Sequence, residues 1–108
     1  MTETRRVVVH RWEDLPLEKI TEMVARKAIT GARTVVAQSF IKKGAPLPRH
    51  AHREEQWIYV LQGALRTVVD AEETTIHEGE VLLVPAGVAH QVEALDDTFV
   101  MSITGREG

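Results

Sequence analysis

Cysteine is missing from this chain, and aromatic residues make up only 5% of it. Without cysteine no disulfide can form and no metal can be bound through thiolate, which favours ions that bind imidazole and oxygen ligands. Lys and Arg number 13 against 16 Asp and Glu, the net charge is -3, and the basic residues are scattered. The positive stripe that nucleic acid requires is therefore missing, and no nucleic-acid partner is expected.

Long hydrophobic runs are also missing. Met1 to Arg6 is polar and charged, and no apolar stretch approaches the length of a signal core or a membrane span. We therefore expect no membrane partner and a cytoplasmic location. The 108 residues, 44% of them hydrophobic, predict a single domain over residues 1–108 that is long enough to bury about two thirds of its unfolded surface.

Three histidines and a glutamine form the pattern that is most informative about function: His50, His52, Gln56 and His90. On an extended segment the side chains at i and i+2 project to the same face, so His50 and His52 can point at one centre, and Gln56 keeps that parity. His90 must arrive from another strand. A lone His-x-His pair is equally consistent with strand histidines that bind nothing, but three imidazoles and an amide oxygen would make a ligand set for one divalent ion.

Glycines and a proline, which favour turns, flank these residues in the sequence. The first block runs from Gly44 to Gly63, and the second runs from Gly79 through Pro85-Ala86-Gly87 to His90. Each glycine falls where the chain must turn between strands, and Pro85-Ala86-Gly87 indicates a tight turn that delivers His90 to the next strand. The two blocks, within roughly Thr34 to Thr104, closely resemble the paired signature motifs of the cupin superfamily.

This resemblance implies a small single-domain cupin, an all-β jelly-roll barrel of antiparallel strands (double-stranded β-helix, RmlC-like) that holds one metal ion inside. In that family the first motif supplies two His and a Glu, and the second motif supplies a third His. Here Gln56 stands at the Glu position, and Ala94 replaces the Asn that often closes the second motif. The implied metal ligands are therefore His50, His52, Gln56 and His90.

Alternation of apolar residues and turn signals predict the strands of the barrel. The segment that contains the two motifs, about residues 34–104, is expected to form the barrel, and N-terminal strands are expected before it within residues 7–33. Glu18 to Ile29 fits a helical stripe as well as the two faces of a strand, and because cupins usually extend their sheet here we favour a strand. The predicted strands are Val7–Trp12, Glu18–Ile29, Thr34–Ile41, Gln56–Leu61, Ala64–Asp70, Thr74–Glu78, Val81–Val84, His90–Ala94 and Thr98–Thr104, with Ala71-Glu72-Glu73 as a hairpin turn.

The expected ligands are all neutral, so the +2 charge of an ion would stay uncompensated, whereas the usual Glu would remove one unit. Four ligands from a barrel wall leave two adjacent positions open on a six-coordinate Mn, Fe or Ni ion, and Zn is a further candidate. Two adjacent positions suit a bidentate keto acid or sugar acid whose carbonyl the ion would polarise. On Fe(II) the same positions could hold a substrate and O₂ together, so the ligands alone permit either chemistry.

A closer resemblance is to the small cupins related to KdgF, and its matching segments include Pro16 to Met23, Tyr59 to Arg66 and Glu93 to Thr98. Members of that group convert unsaturated uronates into linear keto forms and use a Gln among the metal ligands. An Asp and a Phe on their last strand lie by the substrate, and these positions hold Ser102 and Thr104 here. The Ser102 hydroxyl cannot serve as a general base as a carboxylate does, because it does not titrate in the useful range.

Three functional hypotheses follow. The first is a non-redox, metal-dependent isomerase or lyase acting on a keto acid or a sugar acid such as an unsaturated uronate, with Ser102 and Arg66 as candidate catalytic residues. Arg66 could bind a substrate carboxylate, although a strand Arg more often faces solvent. The alternative is an Fe(II)- or Mn(II)-dependent dioxygenase, and the third is a non-catalytic module that binds a metal and a ligand.

Other residues are expected to be structural. Trp57 and Tyr59 face away from the pocket and should pack against the second sheet or a partner subunit. His10 and His77 are not spaced to join the metal site. We expect a homodimer, because small cupins commonly pair through an early strand and a chain this short gains core by doing so.

Overall fold

The structure is a computed structural model that describes residues 6–106. No helix in this range has the length and apolar character that a membrane crossing requires. A short 3-10 turn, Trp12–Asp14, precedes ten strands. In chain order the strands are β1 (Glu18–Thr21), β2 (Val24–Thr30), β3 (Thr34–Ile41), β4 (Pro46–His50), β5 (Gln56–Gln62), β6 (Ala64–Val69), β7 (Glu72–His77), β8 (Val81–Val84), β9 (His90–Ala94) and β10 (Thr98–Gly105).

The strands form two antiparallel sheets. One has six strands in the order β1-β2-β3-β10-β5-β8, and the other has four in the order β4-β9-β6-β7. Every connection from β3 onward crosses from one sheet to the other, except the one from β6 to β7. The two sheets therefore face each other as a jelly roll, and the expected all-β fold is confirmed.

The hydrophobic core lies between the sheets, because successive side chains of a strand alternate between the interior and the outside. In β5, Ile58 and Val60 are buried whereas Trp57 and Tyr59 are exposed. Burying a large aliphatic side chain contributes about 1.5–3 kcal/mol. The buried core residues are Val24, Ile41, Ala45, Ile58, Val60, Leu65, Ile76, Val84, Val92, Ala94 and Val100.

The turn between β5 and β6 requires glycine. Gly63 has φ of 93°, and a Cβ added to it would lie 2.5 Å from Thr98 Oγ1 and 2.6 Å from the Asp97 carbonyl oxygen. The Thr98 side chain is buried, and its hydroxyl oxygen accepts a hydrogen bond from the Ala64 backbone N–H at 3.2 Å. The backbone at Gly63 thus packs directly against Thr98, so the β5–β6 turn is in contact with the start of β10.

The predicted strand Val7–Trp12 is wrong. Residues 6–11 form no strand, and the 3-10 turn begins at Trp12. The valines have the side chains that strands favour, but within residues 6–106 no strand pairs with them. A segment whose side chains favour a strand forms none when no other strand is available to bond its backbone.

The remaining strand predictions differ from the structure mainly at their ends. The strands Thr34–Ile41, Val81–Val84 and His90–Ala94 have the predicted bounds. The stretch Glu18–Ile29 is extended and not helical, but it is a hairpin of two strands and not one strand. Thr21 Oγ1 accepts a hydrogen bond from the Met23 backbone N–H at 3.1 Å, which closes the turn between them.

Two details of the four-stranded sheet were not predicted correctly. The β6–β7 turn lies at Asp70 and Ala71 and not at the expected Ala71-Glu72-Glu73, and Asp70 has φ of 57°. No strand was predicted for Pro46–His50, which is β4. Its prolines are tolerated because β4 is an edge strand with a neighbour on one side only. Proline lacks the backbone N–H donor, and at a sheet edge no interstrand hydrogen bond is lost when that N–H would have faced outward.

Candidate metal centre

Strands β4 and β9 bring two histidines together. His50 is the last residue of β4, His90 is the first residue of β9, and the two are partners in the antiparallel register. Their ring centroids are 4.3 Å apart. His52 follows β4 by two residues, and its ring centroid lies 5.5 Å from that of His50 and 4.9 Å from that of His90. The structure therefore brings together the three histidines that the sequence pattern singled out.

The histidine cluster has the dimensions of a metal site. One ring nitrogen from each histidine can be chosen so that all three lie within 4.8 Å of one another. Metal–imidazole bonds of about 2.0–2.1 Å place two ligand nitrogens of one ion roughly 3 to 4 Å apart. The three rings are thus positioned to bind a single ion.

Backbone carbonyls hold all three imidazoles through Nδ1. A carbonyl oxygen only accepts hydrogen bonds, so each Nδ1 carries the proton and donates it, and Nε2 of the neutral ring keeps a free lone pair. Fixing one ring nitrogen in this way is how proteins orient metal-binding histidines. The bonds run from His50 to Pro48 at 2.8 Å, from His52 to Glu54 at 2.8 Å and from His90 to Val88 at 3.1 Å.

The cluster spans the boundary between the core and the solvent. His90 is only 2% exposed, whereas His52 is half-buried and His50 is exposed. Burial lowers the pKa of His90 below its ordinary value of 6.5; the hydrogen bond to Val88 opposes this shift, and the charges of His50 and His52 add to it. His90 is therefore neutral at pH 7, and its Nε2 is available to an ion that solvent and ligands can reach from the His50 side.

Gln56 begins β5 on the inner face of the six-stranded sheet. It is half-buried, and its register partners are Val84 of β8 and Thr104 of β10. It shares the face of Ile58, which is buried in the core. This position agrees with the parity argument from the sequence, and its role as a fourth ligand is part of the proposal below.

Ser102 and Thr104 lie on the same inner face. Ser102 is half-buried and pairs with Ala37 on one side and Ile58 on the other. Ser102 shares this inner face with Gln56, on the sheet that faces the one carrying His50 and His90.

Arg66 lies away from the cluster. In β6 it alternates with buried Leu65 and Thr67 and is exposed, so its side chain is on the outer face of the four-stranded sheet. It forms ion pairs with Glu73 and, at 3.5 Å, with Glu93. These carboxylates, Glu73 foremost, raise the pKa of Arg66. The structure therefore does not place this candidate catalytic residue beside the three histidines.

The three carbonyls that orient the imidazoles were not predicted from the sequence. Each acceptor lies two residues from its histidine, before His50 and His90 and after His52. Backbone acceptors carry no residue-type signal, so only the strand end after Pro48 and the turn before His90 could have suggested them. This carbonyl arrangement is the feature that distinguishes the cluster from three unrelated surface histidines.

A jelly roll with three convergent imidazoles defines the class of metal-binding cupins. The family model for the cupin domain matches residues 39–104. The chain belongs to the cupin family, as the sequence resemblance implied.

Known proteins support this assignment. An RmlC-like cupin from Shewanella frigidimarina NCIMB 400 superposes with a TM-score of 0.84 at 23% identity, over 89% of this chain and 87% of that one. KdgF from Halomonas sp. superposes with a TM-score of 0.81 at 21% identity, over 86% and 87%. The oxalate decarboxylase OxdC of Bacillus subtilis (strain 168) is 32% identical over 62 residues, which are 53% of this chain and 16% of that protein. The chain thus matches only a small part of this curated relative, and the two solved structures show a shared fold.

Proposed function

We propose that the protein binds one divalent metal ion through Nε2 of His50, His52 and His90, with the side-chain oxygen of Gln56 as the fourth ligand. The proposed activity is that of a non-redox isomerase or lyase acting on a keto acid or a sugar acid. The observation that carries this proposal is the convergence of three imidazoles whose Nδ1 atoms are all bonded to backbone carbonyls. When bound, a Mn, Fe, Ni or Zn ion would supply a Lewis acid that polarises the substrate carbonyl.

The residues of β10 would orient the substrate and would not deprotonate it. The hydroxyls of Ser102 and Thr104 share the inner face with Gln56, where they can donate hydrogen bonds to carbonyl or carboxylate oxygens. Ala37 and Ile58 are buried on either side of Ser102 and exclude water from that wall. Arg66 has no part in this proposal, because its guanidinium is engaged by glutamates on the outer face.

Two relatives support the acid substrate class. The match to an oxalate decarboxylase concerns an enzyme for a small carboxylic acid. The similarity of this chain to KdgF covers most of both chains and supports an unsaturated uronate as the first substrate to test. We further propose that the chain acts as a single-domain homodimer in the cytoplasm.

The ligand assignment is tested by replacing His52→Ala and measuring metal content of the purified protein by elemental analysis. Removing one of three convergent imidazoles should abolish stoichiometric metal content and turnover. His77→Ala is the matched control, because His77 is an exposed histidine whose Nδ1 is 3.1 Å from Glu80 and which is not part of the cluster. Full metal occupancy in the His52 variant would contradict the assignment.

The reaction class is tested separately on the metal-loaded protein. A non-redox enzyme should convert the keto or sugar acid without oxygen uptake. Oxygen consumption with the iron-loaded protein would establish the dioxygenase alternative instead. Saturable binding with the ligand recovered unchanged would show a binding module.

A further inference from the structure

A cleft opens at the side of the barrel between β7 and β8, which are edge strands of the two facing sheets. Its volume of about 640 Å³ falls within the range of about 300–1,000 Å³ that is usual for ligand sites. Three apolar side chains line it, Val69 of β6, Leu82 of β8 and Val88 of the turn before β9. We call this opening the side cleft, and it is large enough for a small molecule.

The side cleft adjoins the histidine cluster through two of its lining residues. Val69 is the register partner of His90. The Val88 carbonyl accepts the hydrogen bond from His90 Nδ1 at 3.1 Å. Both valines are half-buried. The side cleft and the cluster are therefore neighbours, and a molecule that binds at the cluster can extend into the cleft.

Glu72 lines the side cleft from the first position of β7. It is the register partner of Val69, which is the partner of His90, and His90 is the partner of His50. Register partners in an antiparallel sheet have their side chains on the same face, so Glu72 is on the inner face that carries the histidines. Because neighbouring strands are about 4.8 Å apart, the Cα atoms of Glu72 and His90 are separated by roughly 10 Å, which leaves room for a molecule between the two side chains.

The carboxylate of Glu72 is available to a ligand. It is exposed, and no side-chain hydrogen bond or ion pair within residues 6–106 engages it. Glu73, the next residue, is on the outer face and is held by Arg66. A carboxylate accepts hydrogen bonds, and the alcohol groups of a sugar donate them. Thr74 adds a hydroxyl to the cleft on the same face of β7, so both residues offer partners to alcohol groups.

The charge of the side cleft selects among acids. Among the described residues that line it, the charged ones are Asp70 and Glu72. The guanidinium of Arg49 donates a hydrogen bond to the Asp70 backbone carbonyl at 3.2 Å. Two carboxylates with no basic side chain in the lining repel another carboxylate but accept hydrogen bonds from alcohol groups. The side cleft therefore suits the uncharged, hydroxyl-bearing part of an acid.

We propose that the protein selects acids with one carboxylate and several hydroxyls, whose carboxylate binds at the histidine cluster and whose hydroxyls donate hydrogen bonds to Glu72 in the side cleft. This inference rests on the proposed function and names the kind of sugar acid that the same site takes. Simple keto acids lack the hydroxyls, and dicarboxylates would place a second negative charge beside Glu72 and Asp70. Glu72 contacts the substrate and not the metal ion, so its replacement should leave the metal bound.

Calorimetric titration of the metal-loaded protein with three acids tests the proposal. The probes are galacturonate, which has one carboxylate and several hydroxyls, galactarate, which has a second carboxylate, and pyruvate, which has no alcohol group. The wild type should bind galacturonate at least about tenfold more tightly than galactarate. Glu72→Ala should weaken galacturonate binding about 10- to 100-fold, because a hydrogen bond to a charged group is lost. Its pyruvate affinity should not fall, because only a like charge is removed.

Two further variants separate hydrogen bonding from a structural effect. Glu73→Ala is the matched control, because Glu73 is the next residue of β7 and lies on the outer face. It should bind all three acids as the wild type does. Glu72→Gln keeps a side-chain oxygen that accepts hydrogen bonds, so it should recover part of the galacturonate affinity that Glu72→Ala loses. Elemental analysis should find the same metal content in every folded variant, and circular dichroism identifies any variant that has not folded.

Three results would overturn the selection by the side cleft while leaving the proposed function intact. They are an unchanged galacturonate affinity in Glu72→Ala, an equal loss of galacturonate and pyruvate binding in that variant, and a wild type that binds galactarate as tightly as galacturonate. Loss of metal from folded Glu72→Ala would overturn the assignment of Glu72 to the substrate. A metal-loaded wild type that binds none of the three acids would overturn the proposed function and this inference together.

Discussion

Replacing Gly63→Ala should destabilise the protein far more than replacing Gly79→Ala. Both glycines have positive φ, 93° and 85°, so both substitutions force an L-residue into the left-handed region. They differ in the space available to the new methyl group. At Gly63 the methyl group would lie 2.5 to 2.8 Å from three atoms, namely Thr98 Oγ1 and two backbone atoms, the Asp97 carbonyl oxygen and Thr98 Cα. At Gly79 no atom lies within 4 Å of it.

The two costs can be separated. The left-handed conformation costs about 1–2 kcal/mol for a residue with a Cβ, and this cost applies equally to both positions. Overpacking adds about 1–3 kcal/mol at Gly63 alone, because the Asp97 carbonyl and Thr98 Cα cannot move without shifting β10. We therefore expect the free energy of unfolding to fall by about 2–5 kcal/mol for Gly63→Ala and by about 1–2 kcal/mol for Gly79→Ala.

Urea unfolding followed by circular dichroism measures both values. The slope with urea should be the same for both variants, because the change is in native-state stability and not in the surface exposed. Metal content of folded Gly63→Ala should be unchanged, since Gly63 follows the far end of β5 from Gln56. Equal destabilisation of the two variants would refute the steric reasoning and leave only the backbone conformation as the cause.

Two further predictions concern the metal centre. Gln56→Glu should increase metal affinity by about tenfold or more, because a charged ligand offsets part of the +2 charge of the ion. Competition titration with a chelator measures the affinity. Gln62→Glu, at the other end of β5, is the control and should show no gain in affinity. The metal-free protein should lose stability as pH falls below 6.5, because the folded-state pKa of His90 is lowered and the unfolded chain binds the proton first. The contribution of neutral His90 to the free energy of unfolding is fully present above pH 6.5 and is lost as the pH falls through the folded-state pKa. Urea unfolding at several pH values should therefore show this fall in stability for the wild type and a smaller fall for His90→Gln.

The histidine cluster was predictable from a short-range rule together with the resemblance to the cupin motifs. Residues i and i+2 share a strand face, which placed His50 and His52 together, and the turn at Pro85-Ala86-Gly87 placed His90 at a strand start. The resemblance to the paired cupin motifs was what assigned His90 to the same centre, because local rules do not say which strands meet. The same rules placed Trp57 on the outer face and Gln56 on the inner face. The apolar run Val81–Val84 was predicted as a strand with its observed bounds. It was expected to be buried, but Val81 and Leu83 are exposed on the outer face of the sheet.

The failures arise where the outcome depends on which strands pair. Val7–Trp12 has strand composition, but its backbone finds no partner within residues 6–106, and composition alone does not report that. Arg66 could be read as a substrate anchor or a solvated residue until the register placed it opposite Glu93 and Thr75. Strand β4 was missed because Pro46 and Pro48 argue against a strand anywhere except at a sheet edge.

The inner face narrows the chemistry that the proposed centre can perform. The inner face of the six-stranded sheet presents Ser102 and Thr104 beside Ala37, Ile58 and Gln56, and none of these five side chains is ionisable in the range useful for general acid–base catalysis. A reaction that needs a carboxylate base on this wall is therefore disfavoured. A reaction in which the protein holds the carbonyl and carboxylate of a substrate, while water or the substrate itself transfers the proton, remains compatible with these residues. Within the proposed function, Ser102 at the position where the resembling cupins have Asp therefore favours ring opening or tautomerisation of an already reactive enol-type sugar acid over abstraction of an unactivated C–H proton.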